Sequence, residues 1–93
     1  IVRLKIAEVI TDGDVLDILS NDTNSSIVAS IALNPHTSST TLSKLSNHDV
    51  WFVRRNVATN LNTPISTLSV LVKDNNEQVR IAAKESLKLI ETK

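Results

Sequence analysis

The stretch VRRNVATNLNTPISTLSVLV, residues 53–72, decides the fold, because it repeats IVASIALNPHTSSTTLSKLS, residues 27–46, at a shift of 26 positions. Ile27, Val53 and Val79 fall at that interval. So do Leu16, Leu42 and Leu68, then Leu19, Leu45 and Leu71, and the asparagines Asn34 and Asn60. A fixed period of this length marks stacked supersecondary units rather than a single irregular core. The first block of each unit places its apolar residues at helical spacing (Ile27, Val28, Ile31, Ala32; Val53, Val57, Ala58), not in strand alternation. The second block carries an L-x-x-L pair, Leu42 with Leu45 and Leu68 with Leu71, which predicts a short helix of two to three turns.

Asn34-Pro35-His36-Thr37-Ser38 and Asn60-Leu61-Asn62-Thr63-Pro64 separate the two blocks within a unit. Pro35 forces Asn34 out of the α region and so ends the preceding helix. Thr37 and Thr63 are expected to be N-caps of the following helices, with Pro64 at the first helical position. Polar links at Ser46-Asn47-His48-Asp49 and Lys73-Asp74-Asn75-Asn76 divide one unit from the next. The expected organisation is one domain over residues 1–93, with repeats at about 1–26, 27–52 and 53–78 and a closing helix at 79–91. The first repeat is divergent: Val2-Arg3 matches Val53-Arg54 only with a one-residue deletion, and Thr11-Asp12-Gly13 stands for the Asn-x-x-Thr turn. The chain lacks Met and opens on Ile1 inside a helical pattern, so a piece of a longer protein is expected.

Composition supports an all-α fold. Hydrophobic residues make up 41% of the 93-residue chain and charged residues 22%, too apolar for disorder. Trp51 and Phe52 are the only aromatics, and one Gly and two Pro are too few for the tight turns of an all-β protein. A chain of this size buries only about 60–65% of its unfolded surface, so no deep cleft for a small-molecule substrate is expected. Ten basic and ten acidic residues cancel, leaving no global field for nucleic acid or an anionic membrane. No apolar run reaches the roughly 18 residues of a membrane span, and the first ten residues are not laid out as a signal peptide. Without cysteine there is no disulfide, thiolate metal site or Cys nucleophile; the redox compartment stays open, with the cytoplasm as the expected one.

From Asn34 to Leu87 the chain resembles the leucine-rich repeat variant, within the broad HEAT-like group of helical repeats. The residues that carry the resemblance are the N-P-x-T turn at Asn34–Thr37, the N-x-x-T-P turn at Asn60–Pro64 and the two L-x-x-L pairs. The V-R-x-x-V-A block at Val53–Ala58, echoed as V-R-x-A-A at Val79–Ala83, completes it. The resemblance implies a right-handed α-solenoid of stacked helix pairs, in some members alternating α with short 3₁₀ helices. Such repeats are scaffolds with unrelated roles, so the resemblance implies little about function. Some relatives carry an iron–sulfur cluster on a cysteine segment, a feature this cysteine-free chain cannot share.

Candidate sites follow from where the repeats agree and where they differ. Arg3, Arg54 and Arg80 hold one register position, with Lys5 and Arg55 beside them and Lys84 further along. They suit a ladder gripping phosphates, or a set of ties in which each Arg reaches the preceding inter-unit turn, with Asp49 and Asp74 as partners. Val28 interrupts the ladder in the second unit. Trp51 and Phe52 stand just before the third long helix, where the other units have Ser25-Ser26 and Glu77-Gln78; they suit either a partner anchor or the filling of a gap between units. His36 and His48, with Asp49, are too few for a tetrahedral metal site. No G-x-S-x-G elbow and no Gly-rich phosphate loop occur, so neither catalysis nor a cofactor is expected. Asn21-Asp22-Thr23 and Asn24-Ser25-Ser26 fit the glycosylation sequon, a pattern that arises readily by chance in Asn/Ser/Thr-rich sequence. The expected function is a non-catalytic protein-interaction scaffold contacting its partner through Trp51, Phe52 and Arg55. The alternative is a nucleic-acid module using Arg3, Arg54, Arg55, Arg80 and Lys84.

Overall fold

The computed structural model describes residues 12–91, and among them every regular element is helical. Three short helices, α1 (Gly13–Leu19), α3 (Ser39–Leu45) and α5 (Ile65–Leu71), begin 26 residues apart. The helices that follow them, α2 (Ser25–Leu33), α4 (Trp51–Thr59) and α6 (Glu77–Glu91), begin 26 apart as well. The long helix α4 packs between α2 and α6, while α1, α3 and α5 lie against the long helix that follows each of them. Arg3 and Lys5, and most of the first expected repeat's opening block, lie outside the described residues.

The core is made by the residues that carry the period. Leu16, Leu42 and Leu68 are fully buried, as are Val53 and Val79, and Ile27, Leu45 and Leu71 are nearly so. Burying a branched aliphatic side chain contributes about 1.5–3 kcal/mol, and these positions recur in each unit. Short helices of seven residues are marginal on their own, so this packing, not intrinsic propensity, holds them.

Two chemically distinct turns alternate. After each nine-residue helix the chain turns extended at an asparagine: Asn34 has φ −69° and ψ 127°, Asn60 φ −76° and ψ 119°. Pro35 explains the first, but Leu61 follows Asn60, so proline is not what the turn requires. The shared device is the side chains. Each asparagine Oδ1 accepts the amide two residues on, from His36 at 2.8 Å and from Asn62 at 2.9 Å. The buried threonine hydroxyls reach back six residues, Thr37 to the Ile31 carbonyl at 2.6 Å and Thr63 to the Val57 carbonyl at 2.7 Å. These threonines therefore close the helix behind them and do not cap the one ahead, contrary to the expectation from sequence. Ser38 caps α3, accepting from the Thr41 amide at 3.2 Å, and Pro64 occupies the cap of α5, one position earlier than expected.

The inter-unit turns form the second type. At Asp22, His48 and Asp74 the backbone amide donates to Leu19, Leu45 and Leu71, and the side chain accepts the amide two residues later. Asn24 and Asn76 then cap α2 and α6, each taking two amides on Oδ1. Val50, the equivalent residue before α4, has no side chain able to do so.

Candidate functional site

Because α4 begins at residue 51, Trp51 and Phe52 are its first two residues rather than the end of the preceding link. Successive positions of a helix are turned about 100° apart, so the pair cannot face one way. Phe52 is half-buried and packs on the core; Trp51 lies outside it with 38% of its surface exposed. Of the pair, Phe52 packs on the core and Trp51 stands at the surface.

The exposed indole is held from two sides. Phe52 meets it edge-to-face, with centroids 6.0 Å apart and planes at 83°, a favoured aromatic geometry. Arg55, one turn on, lays its guanidinium over the ring at 5.2 Å from the centroid, a cation–π contact contributing about 0.5–1 kcal/mol at an exposed site. Nε and Nη2 of Arg55 also donate to Asn56 Oδ1, at 3.3 and 3.2 Å. Asn56 in turn donates from Nδ2 to the Ala29 carbonyl of α2 at 2.9 Å. The three residues expected from sequence thus lie together on one helix start, and Asn56, which sequence did not single out, anchors them to the neighbouring unit.

Arg54 is differently placed. Its Nε and Nη2 donate to the two carboxylate oxygens of Asp74 at 2.8 and 3.1 Å, and its Nη1 to the His48 and Asp49 carbonyls at 2.8 and 3.1 Å. Nη2 also meets Asn75 Oδ1 at 3.3 Å. With side-chain exposures of 14% for Arg54 and 10% for Asp74, the pair is half-buried and bidentate. Arg54 therefore ties the turn before it to the turn after it; the ionic partner is Asp74 in the following turn, not Asp49 in the preceding one as the sequence suggested. Arg80 donates to the Asp74 carbonyl at 2.8 Å, six residues back, as Arg54 does to His48. Lys84 is exposed on α6. Burial alone would push the Asp74 carboxyl up, but the Arg54 hydrogen bonds, the Asn76 amide and the charges of Arg54 and Arg80 outweigh it and hold the pKa below the ordinary carboxylate value.

An open groove of about 820 Å³ runs between the turn at 46–49 and the end of α5 with the turn that follows it, with His48, Asp49, Arg54, Lys73 and Asp74 on its walls. His36 and His48 sit in turns of different type, and among the described residues no group of three or more His, Cys, Asp or Glu is arranged to hold a metal ion. Asn21, in the first sequon, is exposed and donates to the Asp17 carbonyl, while Asn24 is spent capping α2. None of the described helices is long and apolar enough to cross a membrane.

A buried polar ladder joins the units. Asn60 donates from Nδ2 to the Ala32 and Asn34 carbonyls at 2.9 and 3.0 Å, and Ser86, 26 residues on, donates to the Ala58 carbonyl. On the other layer, Thr41 donates to Asp17 at 2.8 Å and Ser43 bonds to Thr67 at 3.0 Å. Compared with protein-family models, curated proteins and solved structures, the chain matches none of them.

Proposed function

We propose that the chain is a right-handed α-solenoid of stacked helix pairs, of the leucine-rich repeat variant or HEAT-like kind, acting in the cytoplasm as a non-catalytic protein-interaction scaffold. The repeated burial, the alternating turns and the inter-unit hydrogen bonds support the solenoid part, because each unit meets its neighbours through the same register positions. The observation that carries the binding role is Trp51: a large ring left 38% exposed yet fixed by Phe52 and Arg55. A tryptophan immobilised before binding loses little side-chain entropy on docking, which is what favours aromatic anchors in interfaces. Arg54 and Arg80 speak against the nucleic-acid alternative, since their hydrogen bonds go to the protein's own turns.

The test compares partner capture by the immobilised protein with capture by Trp51→Ala and Arg55→Ala, each checked for unchanged helicity and melting. The proposal expects one protein ligand to be bound by the parent chain and lost at least tenfold in affinity with Trp51→Ala. Equal retention by both variants would remove the site. Salt-sensitive binding of DNA or RNA that survives both substitutions would favour the nucleic-acid reading instead.

A further inference from the structure

The three inter-unit turns are pinned at one register position by chemically unequal groups. Asp22 Oδ1 accepts the Asn24 amide at 2.8 Å and Asp74 Oδ1 accepts the Asn76 amide at 2.9 Å. In the middle turn the acceptor is His48 Nδ1, 3.1 Å from the Val50 amide. A carboxylate accepts at any pH above about 4, whereas an imidazole nitrogen accepts only in the neutral ring, here with the proton on Nε2. This turn is also the one without a side-chain cap on the next helix.

The groups facing His48 come from three elements. Asp49 is its chain neighbour. Arg54 on α4 donates to the His48 carbonyl and has its charge matched by Asp74. Lys73 and Asp74, from the following turn, line the same groove. A proton on Nδ1 would set two donors against each other at Val50 and would put a cation at the N-terminal, positive end of α4. Both effects favour opening the turn, and the Asp49 charge opposes them. Trp51 and Phe52 are the next two residues after Val50.

We infer that His48 is a proton-operated pin: neutral, it holds the start of α4 and the Trp51 surface in place, and protonated, it releases them. The sign follows from the bond. Only the neutral ring can accept the Val50 amide, so the bond that orders the turn is present above the imidazole range and absent below it.

Trp51 is the chain's single tryptophan, so its emission reports on this helix start alone. The parent protein should show one emission transition between about pH 5 and 8, where histidines titrate and carboxylates do not. His48→Asp, which installs the acceptor of the sister turns, should abolish that transition, and His36→Asn should leave it unchanged. A flat profile in the parent chain, or the same transition in His48→Asp, would overturn the inference. Imidazole nitrogen shifts in the unsubstituted protein give an independent reading should His48→Asp fold poorly. At pH 8 they should show Nε2 protonated and Nδ1 bare; the opposite tautomer would overturn the inference equally.

Discussion

Replacing Asn60 by alanine removes the most heavily used side chain of the inter-unit ladder. Asn60 is 7% exposed, donates to the Ala32 and Asn34 carbonyls and accepts the Asn62 amide, three hydrogen bonds between 2.9 and 3.0 Å. Neutral hydrogen bonds contribute about 1 kcal/mol each, and a buried acceptor stripped of its partner costs about 1–3 kcal/mol. The losses are unequal. The Asn34 carbonyl keeps the Thr37 amide at 3.1 Å, while the Ala32 carbonyl lies in the last turn of α2, where intrahelical donors run out. A loss of about 2–3 kcal/mol follows. For a domain of this size each kcal/mol moves Tm by about 4–8 °C, so melting should fall by about 10–20 °C. Urea unfolding followed by far-ultraviolet circular dichroism gives the free energy, with two references. Asn62→Ala, whose bonds to Pro35 and Thr37 are 3.2 Å long and outside the core, should cost under about 1 kcal/mol. Asn60→Ser, which copies the group at Ser86, should fall between. A loss below about 0.5 kcal/mol for Asn60→Ala would refute the idea that buried polar stitches join the units.

Arg54→Lys should cost about 1–2 kcal/mol in chemical unfolding despite keeping the charge, because an ammonium cannot span Asp74, His48 and Asp49 together. Asp74 has a depressed pKa in the folded chain, so its contribution is complete above the unfolded carboxylate value near about pH 4 and is lost as pH falls through the folded value. A pH series of melting curves should therefore lose part of its acid limb in Asp74→Asn. Phe52→Ala should destabilise the fold by about 2 kcal/mol, since its ring packs on the core, while Trp51→Ala should cost under about 1 kcal/mol by the same assay.

The period was legible because apolar burial leaves a mark at single positions: Leu16, Leu42 and Leu68 are identical residues, all fully buried. The roles of the polar residues were less so. Thr37 and Thr63 look like caps because cap position and the position before it differ by one residue, and only the carbonyl six residues back distinguishes them. Arg54 could not be assigned to Asp74 from local sequence, since that contact spans 20 residues and depends on how α4 lies against the next turn. Asn60 and Ser86 do one job with different side chains, so matching by identity passes over the pair. The division between Trp51 and Phe52 needed the first residue of α4, and helix boundaries are where sequence patterns are least sharp. The 26-residue spacing of Asp22, His48 and Asp74 was open to view, but a histidine among aspartates conceals the shared hydrogen bond.

In the proposed solenoid, 26 residues make one self-similar unit whose contacts pass to the next through fixed positions. Duplicating residues 53–78 in tandem tests it most directly, with small-angle scattering and circular dichroism on the lengthened protein. A cooperative, fully helical fold is expected, longer along the stack of helices by one helix–helix spacing, about 8–10 Å. An insert that stays unfolded, or a fold that widens without lengthening, would contradict it.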